Sequence, residues 1–162
     1  MDTRANRAEL EAWLILLRAP GIGASALRSL IERNGNATGA LRAARRGEAP
    51  TADASCREWL RAPDTSRIAA DLDWLALANH QLLTFDDDDF PALLGETSGA
   101  PAALFVVGDA ALLWHAQIAI VGSRSASHAG LDHARSFTRA LVADGFAITS
   151  GLAEGIDGAA HT

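Results

Sequence analysis

Two segments near the end of the sequence carry the residue types best suited to chemistry: QIAIVGSRSASHAG (117–130) and ITSGLAEGIDGAAH (148–161). Each is a short apolar run that breaks at a glycine, Gly122 or Gly151, and leads toward the start of a helix. Unpaired backbone N–H groups at such a turn, with the positive end of a helix dipole behind them, attract an anion, and a glycine lets a phosphate come close to the backbone. Ser123 and Ser127 can add hydroxyl donors. Arg124 is the cation placed at this edge, with a planar fork that matches phosphate oxygens. Two such loops delivered to one sheet edge suit two phosphates in series. The other arrangement open to these residues is purely structural: glycines that permit tight turns, and Arg124 paired with Glu154 or Asp157.

Other chemistries find less support. The glycine spacing is not the G-x-G-x-x-G of a dinucleotide fold, which disfavours hydride transfer. Ser123, His128 and Asp132 have the types of a nucleophile, a base and an orienting group, but the G-x-S-x-G of a strand-to-helix nucleophile turn is absent. His128 and His161 have no cysteine or second histidine at ligand spacing, and four successive acids from Asp86 to Asp89 lack the alternation of a calcium loop, so no metal and no cofactor is expected. That acidic run reads as a solvated turn. Cys56, the sole cysteine, excludes an internal disulfide and reads as a small, partly buried filler.

The loops need a scaffold. Gln117 to Val121 followed by Gly122, a helical pattern through Leu131, Ala134, Phe137 and Leu141 ended by Gly145, and Phe146 to Thr149 ended by Gly151 make a strand, helix, strand unit, the start of a doubly wound parallel sheet. Both strands of such a unit present their loops at the same carboxyl edge. Upstream, Gln81 to Phe85 and Ala102 to Val107 read as strands, and Ala110 to His115 as a short helix at most. The final residues enter the next crossover, so a sheet stopped there would expose apolar strand faces, the pattern expected of a truncated product.

Residues 1–79 read differently, as a helical bundle. Leu10, Trp13, Leu14 and Leu17 recur at helical spacing before Pro20-Gly21; Leu27, Leu30 and Ile31 share a face before Gly35; Thr38 to Arg46 and Ala54 to Leu60 suggest two shorter helices. Asp64 or Ser66 can cap a further helix whose face includes Ile68, Leu72, Leu75 and Leu77. Trp13, Trp59, Trp74 and Trp114 could stack on bases but are read as core residues. The expected division is therefore 1–79 helical and 80–162 the first part of a Rossmann-like sheet domain.

Composition limits the partners. The chain has 162 residues and 49% hydrophobic content, enough for an ordinary core, and no run approaches a membrane span, so a cytoplasmic protein is expected. Its net charge is −6 and it contains no lysine. Residues 1–80 hold 11 Arg against 10 acids and residues 81–162 hold 3 Arg against 10 acids, so any contact with nucleic acid must come from locally placed arginines rather than from a basic surface.

The segments IAIVGSR, SGLAEGIDGAAH, LLTFDDDDFPALL and PAALFVVGD resemble, in order and spacing, the signature of the DNA-processing protein A (DprA/Smf) family, across residues 80–162. The resemblance implies an extended Rossmann-like domain that grips the backbone of single-stranded DNA without catalytic turnover, delivers it to the RecA recombinase in natural transformation and recombination, and forms a homodimer when full length. Mapped here, the DNA phosphate-binding residues are Gly122, Ser123, Arg124 and Ser127 in one loop and Ser150, Gly151 and Leu152 in the other. Phe90-Pro91 stands where members often carry Tyr-Pro, a mild change. Glu154 replaces an often basic residue, which argues against a phosphate contact at that position.

LLRAPGIGASALRSLI (16–31) resembles a helix-hairpin-helix, a module found in the sterile-alpha-motif-like domain that family members often carry. Gly21 and Gly23 are its candidate DNA contacts, with Arg18 and Arg28 close by; the alternative is a glycine turn that only packs two helices. The competing functional class is a Rossmann-like nucleotide enzyme of the phosphoribohydrolase type, binding one phosphate at the same edge. A third is a helical half that serves protein interaction.

Overall fold

The structure is a computed structural model and describes residues 3–51 and 53–162. The chain divides into two compact units, Met1–Asp109 and Ala110–Thr162.

The first unit begins with five helices: α1 Thr3–Leu17, α2 Ala24–Asn34, α3 Ala37–Ala43, α4 Ala54–Arg61 and α5 Thr65–Leu75. A π-type turn, Ala44–Glu48, extends α3. The apolar spacing seen in the sequence is the buried face: Trp13, Leu14 and Leu16 of α1 and Leu27, Leu30 and Ile31 of α2 share one core with Leu41, Cys56, Leu60 and Ile68. Burying a leucine so completely makes its truncation to alanine cost about 2–5 kcal/mol.

The helix starts follow local rules. Asn36 caps α3 by accepting from the amide of Gly39, and Asp53 caps α4 through Ser55. Of the two residues that could cap α5, Asp64 does so, accepting from the amides of Ser66 and Arg67. The Ser66 hydroxyl and these amides favour its ionised form and lower its pKa.

Two strands, β1 His80–Thr84 and β2 Ala103–Val107, pair antiparallel with His80 opposite Val107 and Thr84 opposite Ala103; a short helix, α6 Ala92–Gly95, lies between them. The sequence division at 79/80 falls between α5 and β1, yet the compact unit continues to Asp109. Aromatic packing is the reason. Phe85 meets Trp13 edge-on at 5.9 Å, and Trp74 packs on His80 at 4.1 Å and Phe105 at 5.7 Å. The acidic run is a turn built on Thr84, whose single hydroxyl proton is shared between Asp86 and Asp87, both at 2.7 Å, and whose amide donates to Asp87 at 2.6 Å.

The second unit opens with a 3-10 turn, Ala110–Trp114, and continues β3 Gln117–Ala119, α7 His128–Ala143, β4 Ala147–Thr149 and α8 Ile156–Ala159. Strands β3 and β4 are parallel, with Ile118 opposite Ile148, so the expected strand, helix, strand unit is present. Ala134 is the buried contact of α7, while Phe137, expected on the inner face, is 67% exposed. Leu131, Thr138 and Leu141 complete the inward stripe, because the face advances four residues from Ala134 to Thr138. Trp114 is 53% exposed, unlike the buried Trp13; it is not a core residue of this unit. Val121, Val142 and Phe146 are also exposed, and grooves of about 670 and 540 Å³ border β4 and α7.

Candidate nucleic-acid interface

The two glycine loops meet at one edge because β3 and β4 run parallel and side by side, so residues following Ala119 and Thr149 emerge together. Ile120 continues the pairing, donating its amide to the Thr149 carbonyl at 2.9 Å. Beyond this point the loops are joined through a residue whose charge alone suggests an ion pair with Arg124. Asp157, 7% exposed in the first turn of α8, accepts from the Gly122 amide through Oδ1 and from the Gly151 amide through Oδ2, both at 3.1 Å.

This corrects one part of the sequence argument. The amides of Gly122 and Gly151 are not left free for a phosphate; an internal carboxylate holds both. Glycine is required at 122 for packing as well, since a Cβ there would lie 2.7–2.9 Å from three carbons of Ile156. Gly155 makes the closest approach: its φ is +87°, and a Cβ would fall 2.1 Å from the Ser123 carbonyl oxygen. The Ile156 amide donates to that same carbonyl at 3.1 Å. The signal for Asp157 was present in the sequence as an acid two residues after a glycine, at the start of a helix, where a carboxylate is favoured.

The side chains around this joint remain exposed. Arg124 is exposed and, among the described residues, forms no ion pair; neither Glu154 nor Asp157 holds it. The Ser123 hydroxyl oxygen accepts from the Ser125 amide at 3.1 Å, and that of Ser127 accepts from Gly130 at 3.2 Å, capping α7. Each hydroxyl still has its proton to donate. Ser150 is different, for its hydroxyl oxygen is buried and has no hydrogen-bond partner among the described residues. Leu152 is 70% exposed with a φ of +54°, an apolar residue held in a left-handed conformation at the rim of the edge. That conformation costs a non-glycine residue about 1–2 kcal/mol. The structure therefore brings Gly122, Ser123, Arg124, Ser127, Ser150, Gly151 and Leu152 into one unit and presents Ser123, Arg124, Ser127 and Leu152 at its surface.

Gly21 has a φ of +74° and lies beside Thr51 and Asp53, and Ile22 packs against the core. Neither neighbouring arginine faces outward alone: Arg18 pairs with Asp71, and Arg28 donates to the carbonyls of Gly95 and Pro101 while lying 5.2 Å from the Phe85 ring and 5.7 Å from that of Phe90. Gly23, with open space around its Cα, precedes α2 as its cap residue. Among the described residues no group of three or more His, Cys, Asp or Glu side chains gathers as a metal site. No helix there is long and apolar enough to cross a membrane.

A helical hairpin module and a parallel Rossmann-like unit with paired glycine loops define a protein class, and comparison with known proteins places the chain within it. Residues 81–162 match the family model described as DNA recombination-mediator protein A, and residues 7–61 match the DprA-like N-terminal HHH domain. The chain belongs to the DNA recombination-mediator protein A family. It is 45% identical over 94 residues to Protein Smf of Escherichia coli (strain K12), covering 58% of this chain and 25% of that protein. To DNA processing protein DprA of Streptococcus pneumoniae (strain ATCC BAA-255 / R6) it is 41% identical over 75 residues, covering 46% and 26%. The chain thus spans about a quarter of the length of these relatives. The X-ray structure of DNA processing protein A from Streptococcus pneumoniae superimposes with a TM-score of 0.68 at 24% identity, over 93% of this chain and 52% of that one, a likeness of fold.

Proposed function

We propose that this protein binds single-stranded DNA through its backbone phosphates and passes it to a RecA recombinase during recombination and transformation, acting in the cytoplasm as a homodimer and without bond chemistry of its own. The observation that carries the reading is the exposed guanidinium of Arg124, without an ion pair among the described residues, beside the hydroxyls of Ser123 and Ser127 at an edge where two glycine loops are tied together. Membership of a recombination-mediator family, and relatives named for DNA processing, support it.

Physical chemistry supports the same division of labour. Arg124 forks onto one phosphate, the two hydroxyls donate to its neighbour, and Leu152 offers an apolar contact to a sugar or an unstacked base. Such contacts hold the backbone and carry little base information. The charge balance of the second half, three arginines against ten acids from residue 81 onward, limits the long-range pull and favours local, forked contacts.

The test is a titration of fluorescent poly-dT with the protein and with Arg124→Ala at low and moderate salt. The reading expects weaker binding for all sequences and a salt slope smaller by about one for the variant. Unchanged affinity and slope would remove Arg124 from the interface. The hand-over is read separately, as faster assembly of RecA on poly-dT in the presence of the protein.

A further inference from the structure

The Gly122 and Gly151 amides converge on the two oxygens of one carboxylate, the spacing that a bound oxyanion would need. That carboxylate belongs to the chain itself and is almost fully buried. It is carried on α8, whose preceding Gly155 lies against the Ser123 carbonyl and whose Ile156 amide donates to that same carbonyl at 3.1 Å. A phosphate arriving from solution would have to displace a tethered anion and would meet its charge at close range, where exposure is low and screening weak.

From this geometry we propose that Asp157 is the specificity-determining residue of the phosphate edge: it fills the oxyanion cradle between the glycine loops, excludes terminal phosphates, and leaves only the outer rim of Ser123, Arg124 and Ser127 for internal phosphodiesters. The inference rests on the DNA-binding reading above and deepens it. Repulsion is the discriminating force. A terminal monoester approaches two negative charges near neutral pH, whereas an internal diester carries one, so a fixed carboxylate penalises the first more. Nucleoside monophosphates and 5′-phosphate ends gain nothing at this edge, and a continuous strand can slide across it.

The experiment compares the protein with Asp157→Ala and with the isosteric Asp157→Asn, whose oxygen accepts from one glycine N–H while its NH2 group, a donor only, faces the other. Three ligands are titrated: inorganic phosphate, oligo-dT with a 5′-hydroxyl, and the same oligomer with a 5′-phosphate. The protein itself is expected to bind the two oligomers equally and to bind phosphate at least about tenfold more weakly than Asp157→Ala, the difference that one regained charge-assisted hydrogen bond supplies. Asp157→Ala should also acquire a preference for the 5′-phosphorylated oligomer, and Asp157→Asn the same preference in smaller degree.

A 5′-phosphate preference in the unaltered protein, or phosphate binding as tight as in the variants, would overturn the proposal. The comparison of the two oligomers uses the unaltered protein alone and stays decisive if Asp157→Ala fails to fold; the phosphate comparison is then read against Asp157→Asn. Absence of all oligo-dT binding would instead remove the DNA reading, while the phosphate titration still decides whether Asp157 closes the cradle.

Discussion

Arg18 at the end of α1 forks onto Asp71 of α5, Nε to Oδ2 at 2.5 Å and Nη2 to Oδ1 at 2.6 Å. The bond to Asp71 raises the pKa of the guanidinium, partly opposed by burial and reinforced by the charges of Asp71 and Asp64. Both ends of the fork are thus spent within the helical unit. Arg18→Ala should lower stability to urea by about 0.5–1 kcal/mol, the scale of a partly exposed pair, and leave the salt slope of poly-dT binding unchanged. A smaller slope would show that Arg18 leaves Asp71 to hold DNA.

Glu9 reaches from α1 to the start of α3, its carboxylate accepting from the Thr38 amide at 3.0 Å, the Thr38 hydroxyl at 2.6 Å and the Ala37 amide. A carboxylate at a helix N-terminus satisfies amides that have no partner inside the helix and complements its dipole. Glu9→Ala should cost about 1–2 kcal/mol in equilibrium unfolding and Glu9→Gln less. Equal loss in both would mean that charge, rather than hydrogen bonding, holds the contact.

Cys56 is fully buried, and burial, with the charge of Asp53 adding to it, pushes its thiol pKa up. A thiol reagent should therefore leave the folded protein untouched and react fully in denaturant. The folded pKa lies above the unfolded one, so the associated stability is complete below the unfolded value and is lost as pH climbs through the folded value. Cys56→Ala should flatten the alkaline fall in stability. An unchanged alkaline slope would assign that fall to other groups.

Gly155 lets the turn before α8 touch the carbonyls of Ser123 and Arg124. Gly155→Ala adds a Cβ where the backbone has a positive φ and no room, a change expected to cost about 2 kcal/mol or more. It should also lower poly-dT affinity, because the displaced carbonyls belong to Ser123 and to Arg124, the residue that presents the guanidinium. Retained affinity would show that the Arg124 loop keeps its place without the α8 turn.

What the sequence disclosed was local. Short apolar runs ending at Gly122 and Gly151 were enough to read β3 and β4 and the edge they share, and the stops at Pro20-Gly21 and Gly35 were enough to bound α1 and α2. What escaped it depended on partners far along the chain. Arg28 looked available to a phosphate until Phe85, Phe90 and two carbonyls about seventy residues away enclosed it. The packing of β1 and β2 on the helices turns on Phe85 meeting Trp13, which strand periodicity does not encode. The charge of Asp157 suggests Arg124 as its partner, but the stronger demand comes from two backbone amides.

The measurement that bears most directly on the central claim is a titration of fluorescent poly-dT, of a matched duplex and of a nucleoside monophosphate with the protein at low and moderate salt. Single-stranded DNA binding through Arg124 gives salt-sensitive binding to poly-dT, tighter than to the duplex and weakened by Arg124→Ala, with no turnover of the nucleotide. Binding to neither DNA, together with binding or cleavage of the monophosphate, would contradict it and make the glycine-loop edge an enzyme site.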